Sequence, residues 1–256
     1  MTHNPIQASK GSPFDYFHLQ EVKRLGPLSK LGQASLPIGL VACLDLVDQG
    51  DRTTLPVDEW KRAESYRQET TRRQFITGRI LIRRALGFLL KTAPQEVPLE
   101  ISEFGKPVLA SKGRNAFHFS IAHTQNHVFV AIAANQEIGV DLEHLRCPTR
   151  AQGVVEKFFT PNEKACLMQA QGEEKRWLFT RIWALKEALV KAEGRGLFQS
   201  AMAKTTDTTV FLNAPSFLRH PSVPYQATLC DLGLARIAAA VSIKMPEPSG
   251  SRAKPK

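Results

Sequence analysis

Three tryptophans, three tyrosines and four cysteines are all that 256 residues hold of these types. The cysteines Cys43, Cys147, Cys166 and Cys230 are scattered, with no CxxC pair and no Cys/His spacing of a zinc site. That excludes a disulfide scaffold or a zinc module, and reduced thiols in a cytoplasmic protein are expected. No run approaches the roughly 18 apolar residues of a membrane span. Met1–Ser12 is polar and has no apolar core, so no secretory leader is expected. Acidic residues are also short, 24 against 34 basic, for a formal net charge of +10. An acidic, solvating disordered chain is therefore excluded. The charge points to anionic partners: nucleic acid, anionic lipid or phosphorylated ligands, without choosing among them. The length fits one large domain or two small ones.

The excess charge is concentrated. Lys61 to Lys91 holds nine basic residues against Glu64 and Glu69. Within it, Phe75, Ile76, Ile80, Ile82, Leu86, Leu89 and Leu90 recur at helical spacing, which predicts a helix over Arg72–Leu90 with one apolar and one cationic face. Taken alone, that face reads as a solvated basic surface; its functional reading is a phosphate cradle. The remaining surplus lies in the Pro-, Ser- and Lys-rich tail.

Four stretches divide the chain: an N-terminal extension over 1–36, partly disordered; an N-terminal half over 37–135; a C-terminal half over 136–245; and a disordered tail over 246–256. Strands are expected at Ile38–Asp45, Val97–Ile101, Phe117–Ile121, His127–Ala134, within Gln136–Leu142, and at Thr209–Leu212, Gln226–Asp231 and Arg236–Ile243. A helix starts at Pro56. Thr160-Pro-Asn-Glu163 is a capping box. A long helix over Glu173–Glu193 is closed by Gly194. The halves echo one another. Ile38-Gly39-Leu40 recurs as Ile138-Gly139-Val140, an offset of 100. The long helices align at 103, and Val130–Ala134 resembles Ile237–Val241 at 107. A duplicated α+β unit is the reading: a pseudo-dimer of two similar α/β halves with a ligand cleft between them.

Gln136-Glu-Ile-Gly-Val-Asp-Leu-Glu143 carries the first chemistry. In a strand, Ile138, Val140 and Leu142 share one face, and Asp141 and Glu143 share the other. Two such carboxylates can hold a hard cation such as Mg²⁺, although a solvent-facing strand edge would look the same. In Trp183-Ala-Leu-Lys186-Glu187-Ala-Leu-Val-Lys191, Glu187 and Lys191 are one turn apart on a helix. That is a simple salt bridge or part of a site. Gly105-Lys106-Pro107 and Ser120-Ile-Ala-His123-Thr124 complete the set.

In this order the four stretches resemble the 4′-phosphopantetheinyl transferases of the surfactin-synthetase-activating type. That family pairs Gly-(Ile/Val)-Asp-x-Glu with Trp-x-x-Lys-Glu-x-x-x-Lys, here about forty residues apart. The resemblance runs from about Trp60 to Leu197. It departs at the fourth stretch, where Ser120, Ala122 and Thr124 replace the usual Asn and Ser and only His123 is kept. The resemblance implies a Mg²⁺-dependent transfer of phosphopantetheine from coenzyme A to a serine of an apo acyl or peptidyl carrier protein. It implies Asp141, Glu143 and Glu187 on the metal and Lys191 on the diphosphate, with Glu187 as ligand, general base or both. It implies coenzyme A phosphates on Lys106, Arg73, Arg62 and Arg72, with His123 near the nucleotide. The length and the echo fit the doubled monomeric type, not the small trimeric one. The rival reading, a basic nucleic-acid-binding protein, has no zinc-finger, RNP-like or helix-turn-helix signal and leaves Asp141 and Glu143 unexplained. No membrane partner is expected.

Overall fold

The structure is a computed structural model and describes residues 18–21, 37–44, 52–110, 116–145, 151–213, 218–232, 234 and 236–245. The first half contributes strands β1 (His18–Glu21), β2 (Ile38–Cys43), β3 (Leu99–Ile101), β4 (Pro107–Leu109), β5 (Phe117–Thr124) and β6 (His127–Ala134), with helices α1 (Val57–Glu64) and α2 (Glu69–Leu90). The second contributes β7 (Ile138–His144), helices α3 (Gln152–Phe158), α4 (Pro161–Gln169), α5 (Gly172–Glu193) and α6 (Met202–Thr205), and strands β8 (Leu218–Arg219), β9 (Tyr225–Cys230) and β10 (Ile237–Lys244).

One sheet runs β1-β2-β6-β5 and the other β7-β10-β9-β8, while β3 and β4 form a separate hairpin. β2 pairs antiparallel with β6 and β6 with β5, and in the second half β7 pairs antiparallel with β10 and β10 with β9. A 22-residue helix covers each sheet. The offset of 103 carries Glu69 onto Gly172 and Leu90 onto Glu193, the ends of both helices. This is the α+β pseudo-dimer the echo implied. The strand match needs one adjustment. Ile38 pairs with Ile132, and its counterpart Ile138 pairs with Ile243. Ile132 thus corresponds to Ile243, four residues beyond the partner that the offset of 107 assigns it. An even slip keeps every side chain on the same face, so the residue pattern survived it.

Alternation along the strands builds the layers. Leu40, Val130, Ile132 and Phe119 meet Leu81, Ile82, Ala85 and Leu86 of α2. Ala238, Ala240, Tyr225 and Ala227 meet Ala184, Leu185, Ala188 and Leu189 of α5. The remaining faces meet each other: Val41, Ala122, Phe129 and Ala131 of one sheet against Ile138, Val140, Val241 and Ile243 of the other. The order is helix, sheet, sheet, helix, with β2, β6, β7 and β10 largely buried on both faces.

The structure differs from the sequence reading at several places. Thr209–Leu212 is not a strand, because Thr208–Phe211 is a 3₁₀ turn. Asp207 caps it, accepting from the Thr209 amide and hydroxyl at 3.0 and 2.7 Å. The buried Glu163 carboxylate draws in the Thr208 amide and hydroxyl at 2.8 and 2.7 Å. These side-chain acceptors offset the β preference of the Thr/Val run. Within the stretch read as a loose extension, His18–Glu21 pairs in parallel with β2. The β4 strand and α3 were not anticipated. The tail over 246–256 lies outside the described residues.

Candidate active site

A glycine sets the geometry. A Cβ on Gly139 would stand 2.0 Å from the Ala188 carbonyl oxygen and 2.3 Å from the Ala192 nitrogen. Only a residue without one lets β7 lie this close to α5. The next two side chains on that face, Asp141 and Glu143, are thereby laid along α5. There Trp183, Glu187 and Lys191 follow one another at four-residue spacing.

Asp141 is 5% exposed. Its Oδ1 accepts from Lys191 Nζ at 2.6 Å, and its Oδ2 is buried with no hydrogen-bond partner. Glu143 Oε1 accepts from Trp183 Nε1 at 3.0 Å. Burial works against the Lys191 charge, but Asp141 first, then Glu187 and Glu143, outweigh it and hold its pKa above the usual lysine value. Four ionisable groups thus converge: Asp141, Glu143, Glu187 and Lys191. His123, at the end of β5, shares their field. Desolvation first, then the Lys191 ammonium, push its imidazole below 6.5 against the pull of Asp141, although its edge is open to solvent.

Lys106 lies at the floor. Its Nζ donates to the Lys191 carbonyl at 2.7 Å and the Ile138 carbonyl at 3.4 Å, with Glu137 at 4.0 Å. Desolvation, with Lys191 adding to it and Glu137 opposing, lowers its pKa. A cavity of about 290 Å³ opens beside it, lined by Phe104, Pro107, Phe119, Glu187, Lys191 and Leu197 among others. The structure therefore gathers Asp141, Glu143, Glu187, Lys191, Lys106 and His123.

It places Arg62 and Arg72 elsewhere. Arg62 is exposed on α1, its guanidinium 5.5 Å from the centre of the Phe75 ring. Arg72 pairs with Glu69 one turn back on the same helix. Among the described residues neither contacts the carboxylates. Arg73 Nη2 donates to the Leu44 carbonyl at 3.3 Å, and Gln74 Nε2 to that of Thr124 at 3.0 Å, so the start of α2 sits against the end of β5 beside His123. Two further members of the basic segment are internal. Arg79 and Arg83, 5% and 4% exposed, share Glu59 at 3.4 and 2.7 Å. The cationic face of α2 is thus partly a structural ion cluster.

Sequence reasoning missed two supports. Ser120 Oγ accepts the Val140 amide at 3.1 Å, tying β5 to the buried edge of β7. Lys186, beside Glu187, is fully buried and donates to Glu163 Oε2 at 2.9 Å and to the Ala203 and Thr206 carbonyls at 3.0 Å. The capping box supplied the signal for Glu163, but nothing in the sequence linked it to Lys186.

Among the described residues no group of three or more His, Cys, Asp or Glu side chains is gathered as a metal centre. The donors nonetheless suit a hard cation. They are carboxylate oxygens, and Asp141 Oδ2 is a buried acceptor left open.

A doubled α+β architecture with a carboxylate–lysine cluster on one half defines a class, and comparison with known proteins narrows it to a family. A model described as 4′-phosphopantetheinyl transferase superfamily matches residues 137–231. Another, described as 4′-phosphopantetheinyl transferase, N-terminal, matches residues 51–137. Together they span more than two thirds of the chain, which belongs to the 4′-phosphopantetheinyl transferase superfamily. Similar curated proteins include the 4′-phosphopantetheinyl transferase HetI of Nostoc sp., 34% identical over 56% of this chain and 61% of its own length. The transferase Sfp of Bacillus subtilis is 27% identical over 52% and 56%. The chain spans between half and two thirds of the length of these curated relatives.

Proposed function

We propose that the protein transfers the 4′-phosphopantetheine group of coenzyme A to a serine hydroxyl of an apo acyl or peptidyl carrier protein. The products are the holo carrier and adenosine 3′,5′-bisphosphate. The observation that carries this reading is the convergence of Asp141, Glu143, Glu187 and Lys191 beside a cavity, in a chain of this family. The serine oxygen bonds to the phosphorus bearing the pantetheine arm. The bond from that phosphorus to the oxygen bridging to the adenosine-side phosphate breaks, and the departing bisphosphate keeps the electron pair.

Asp141, Glu143 and Glu187 would hold Mg²⁺. When bound, that cation neutralises charge on the diphosphate. Lys191, held above the usual lysine pKa, stays protonated at neutral pH and supplies a fixed positive charge beside the same group. Glu187 would serve as a third oxygen for the cation, as acceptor of the serine proton, or both. Lys106, His123 and Arg73 are the candidates for the coenzyme A phosphates. Arg62 and Arg72 would reach them only from the outer surface of α1 and α2. The protein is read as a cytoplasmic monomer; no helix among the described residues is long and apolar enough to cross a membrane. The alternative, a basic nucleic-acid-binding protein without catalytic activity, is not favoured, since it gives the buried Asp141 and its Lys191 partner no task.

The test is incubation with coenzyme A, Mg²⁺ and a panel of apo carriers, read by intact mass. One phosphopantetheine added per carrier is the expected result. Wild-type protein that modifies no carrier, or salt-sensitive nucleic-acid binding without coenzyme A binding, rejects the reading.

A further inference from the structure

The ammonium of Lys106 is spent on backbone. Its Nζ donates to the Lys191 carbonyl at 2.7 Å and to that of Ile138 at 3.4 Å. The first is one of the last four carbonyls of α5, which have no partner inside the helix. Gly194 caps another, its amide donating to the Val190 carbonyl at 2.9 Å. The second belongs to the first residue of β7. An ammonium suits the carboxyl end of a helix, where the backbone dipoles leave partial negative charge. One side chain of the first half therefore fastens α5 to β7, at the crossing where Gly139 lets them touch. The hairpin that delivers it is tight. Gly105 turns at φ +80°, the Ser102 amide donates to the Lys106 carbonyl at 2.8 Å, and the Lys106 amide donates to the Ser102 hydroxyl at 3.1 Å.

An ammonium so far out of water needs a counter-charge. Glu137 supplies it, with Oε2 at 4.0 Å. Glu137 is held in turn, its Oε1 accepting from His118 Nδ1 of β5 at 3.1 Å. Burial works to raise the Glu137 pKa, but the bond to His118 first, then the charges of His118, Lys106 and Lys244, outweigh it and keep the carboxyl below its ordinary value. A second cavity, of about 270 Å³, opens on these groups, lined by Ser102, Lys106, His118, Glu137 and Glu193 among others. Lys106 lines this cavity and the catalytic one. The transfer chemistry gives Glu137 and His118 no task. We propose that Lys106 is a positioning residue: Glu137 and His118 hold its ammonium on the carboxyl end of α5, and this joint keeps Lys191 aimed at Asp141. Its effect on turnover rests on the transferase reading; the joint itself does not. The coenzyme A phosphates then fall to His123 and Arg73.

The experiment uses the full chain and four variants, Lys106→Met, Glu137→Gln, His118→Ala and His118→Gln, with melting temperature as a folding check. Amide hydrogen exchange is read first, without substrate. It should quicken over residues 190–196 in the first three variants, while the rest of α5 keeps its wild-type protection. With coenzyme A, Mg²⁺ and the apo carrier modified best, kcat should fall about tenfold or more in Lys106→Met, since a small misplacement of a catalytic group can cost about a hundredfold. It should fall less far in Glu137→Gln and His118→Ala, with the KM for coenzyme A at its wild-type value in both. His118→Gln keeps a donor for Glu137 and should regain most of the wild-type kcat. A coenzyme A KM that drops in Glu137→Gln and rises in Lys106→Met, with kcat unchanged in both, overturns the proposal: Lys106 is then a phosphate ligand released by the loss of its neighbour. Wild-type exchange over residues 190–196 in Lys106→Met and Glu137→Gln also overturns it, and leaves the transferase reading intact. A wild-type protein that modifies no carrier overturns the transferase reading, and exchange still decides the joint.

Discussion

The buried Asp141 pairs with a partly exposed Lys191 and has one carboxylate oxygen left over. Such a pair is costly to half-remove. Asp141→Ala should abolish transfer in the intact-mass assay, because it removes the innermost of the three carboxylates. Lys191→Met leaves Asp141 buried beside Glu143 and Glu187 without the ammonium. The variant should melt below wild type in a chelator and regain more of the loss on adding Mg²⁺ than wild type gains. Equal Mg²⁺ responses in calorimetry would show that Lys191 and the cation do not compete for Asp141. His123 reports on the same cluster. Its folded value lies below 6.5, its ordinary value. Between the two, the unfolded chain binds more protons. Stability contributed here is therefore lost as pH falls through 6.5 and levels off below the folded value; solvent screening keeps it small. By NMR, the His123 midpoint should move up toward 6.5 in Lys191→Met. In Asp141→Asn, which removes an attraction, it should move down. Shifts in the opposite senses would show that the groups do not share one field.

Two elements decide whether those residues meet at all, β7 and α5. Gly139→Ala drives a methyl group into the backbone of α5 at Ala188 and Ala192, which no side-chain rotation relieves. Overpacking usually costs about 1–3 kcal/mol, and a clash with backbone belongs at or above the top of that range. Denaturant titration should show that loss. Activity should fall further than stability, because separating β7 from α5 parts Asp141 from Lys191. The other end of the arrangement is Glu163 with Lys186, both fully buried. Lys186→Met should cost about 3–5 kcal/mol, and adding Glu163→Gln, which removes the charge but keeps an acceptor for Thr208, should return part of it, since an unpaired buried charge is worse than none. A double variant no more stable than the single one would show that Lys186 is not held chiefly by Glu163. These elements also show what a sequence reveals. The spacing of Gly139, Asp141 and Glu143 was readable because strand alternation fixes which side chains share a face. So were Glu187 and Lys191, one helical turn apart. The Thr160 capping box was equally local. The 3₁₀ turn at Thr208 was not, because Glu163 acts on it from forty-five residues away. Nor was the burial of Arg79 and Arg83, whose helical pattern looked cationic until Glu59 of α1 was set beside them.

The two halves share a layer that neither can cover alone. Val41, Ala122, Phe129, Ala131 and Ala133 of one sheet lie against Ile138, Val140, Leu142, Ala239, Val241 and Ile243 of the other, all nearly fully buried. Separating the halves would bare both faces at once. At about 25 cal/mol per Å² of apolar surface, an exposed sheet face of that kind is unsustainable for a small domain. The duplication read from the sequence therefore does not mean two independent units. The site follows from the same asymmetry. The counterparts of Asp141 and Glu143 at the offset of 100 are Val41 and Cys43, and those of Glu187 and Lys191 at 103 are Arg84 and Phe88. One half carries the carboxylates, and the other supplies His123, Lys106 and the Ser120 tie. Catalysis and folding are thus expected to be lost together. In urea the full chain should unfold in one transition, with near- and far-UV circular dichroism and activity falling at a single midpoint. Phe129→Ala, in the middle of the shared layer, should lower that midpoint by the equivalent of about 3–5 kcal/mol without splitting it. Residues 37–135 expressed alone should show no cooperative transition. Two resolved transitions in the full chain, or a cooperative fold in the isolated half, would mean that the halves fold separately and that their shared layer forms only on docking.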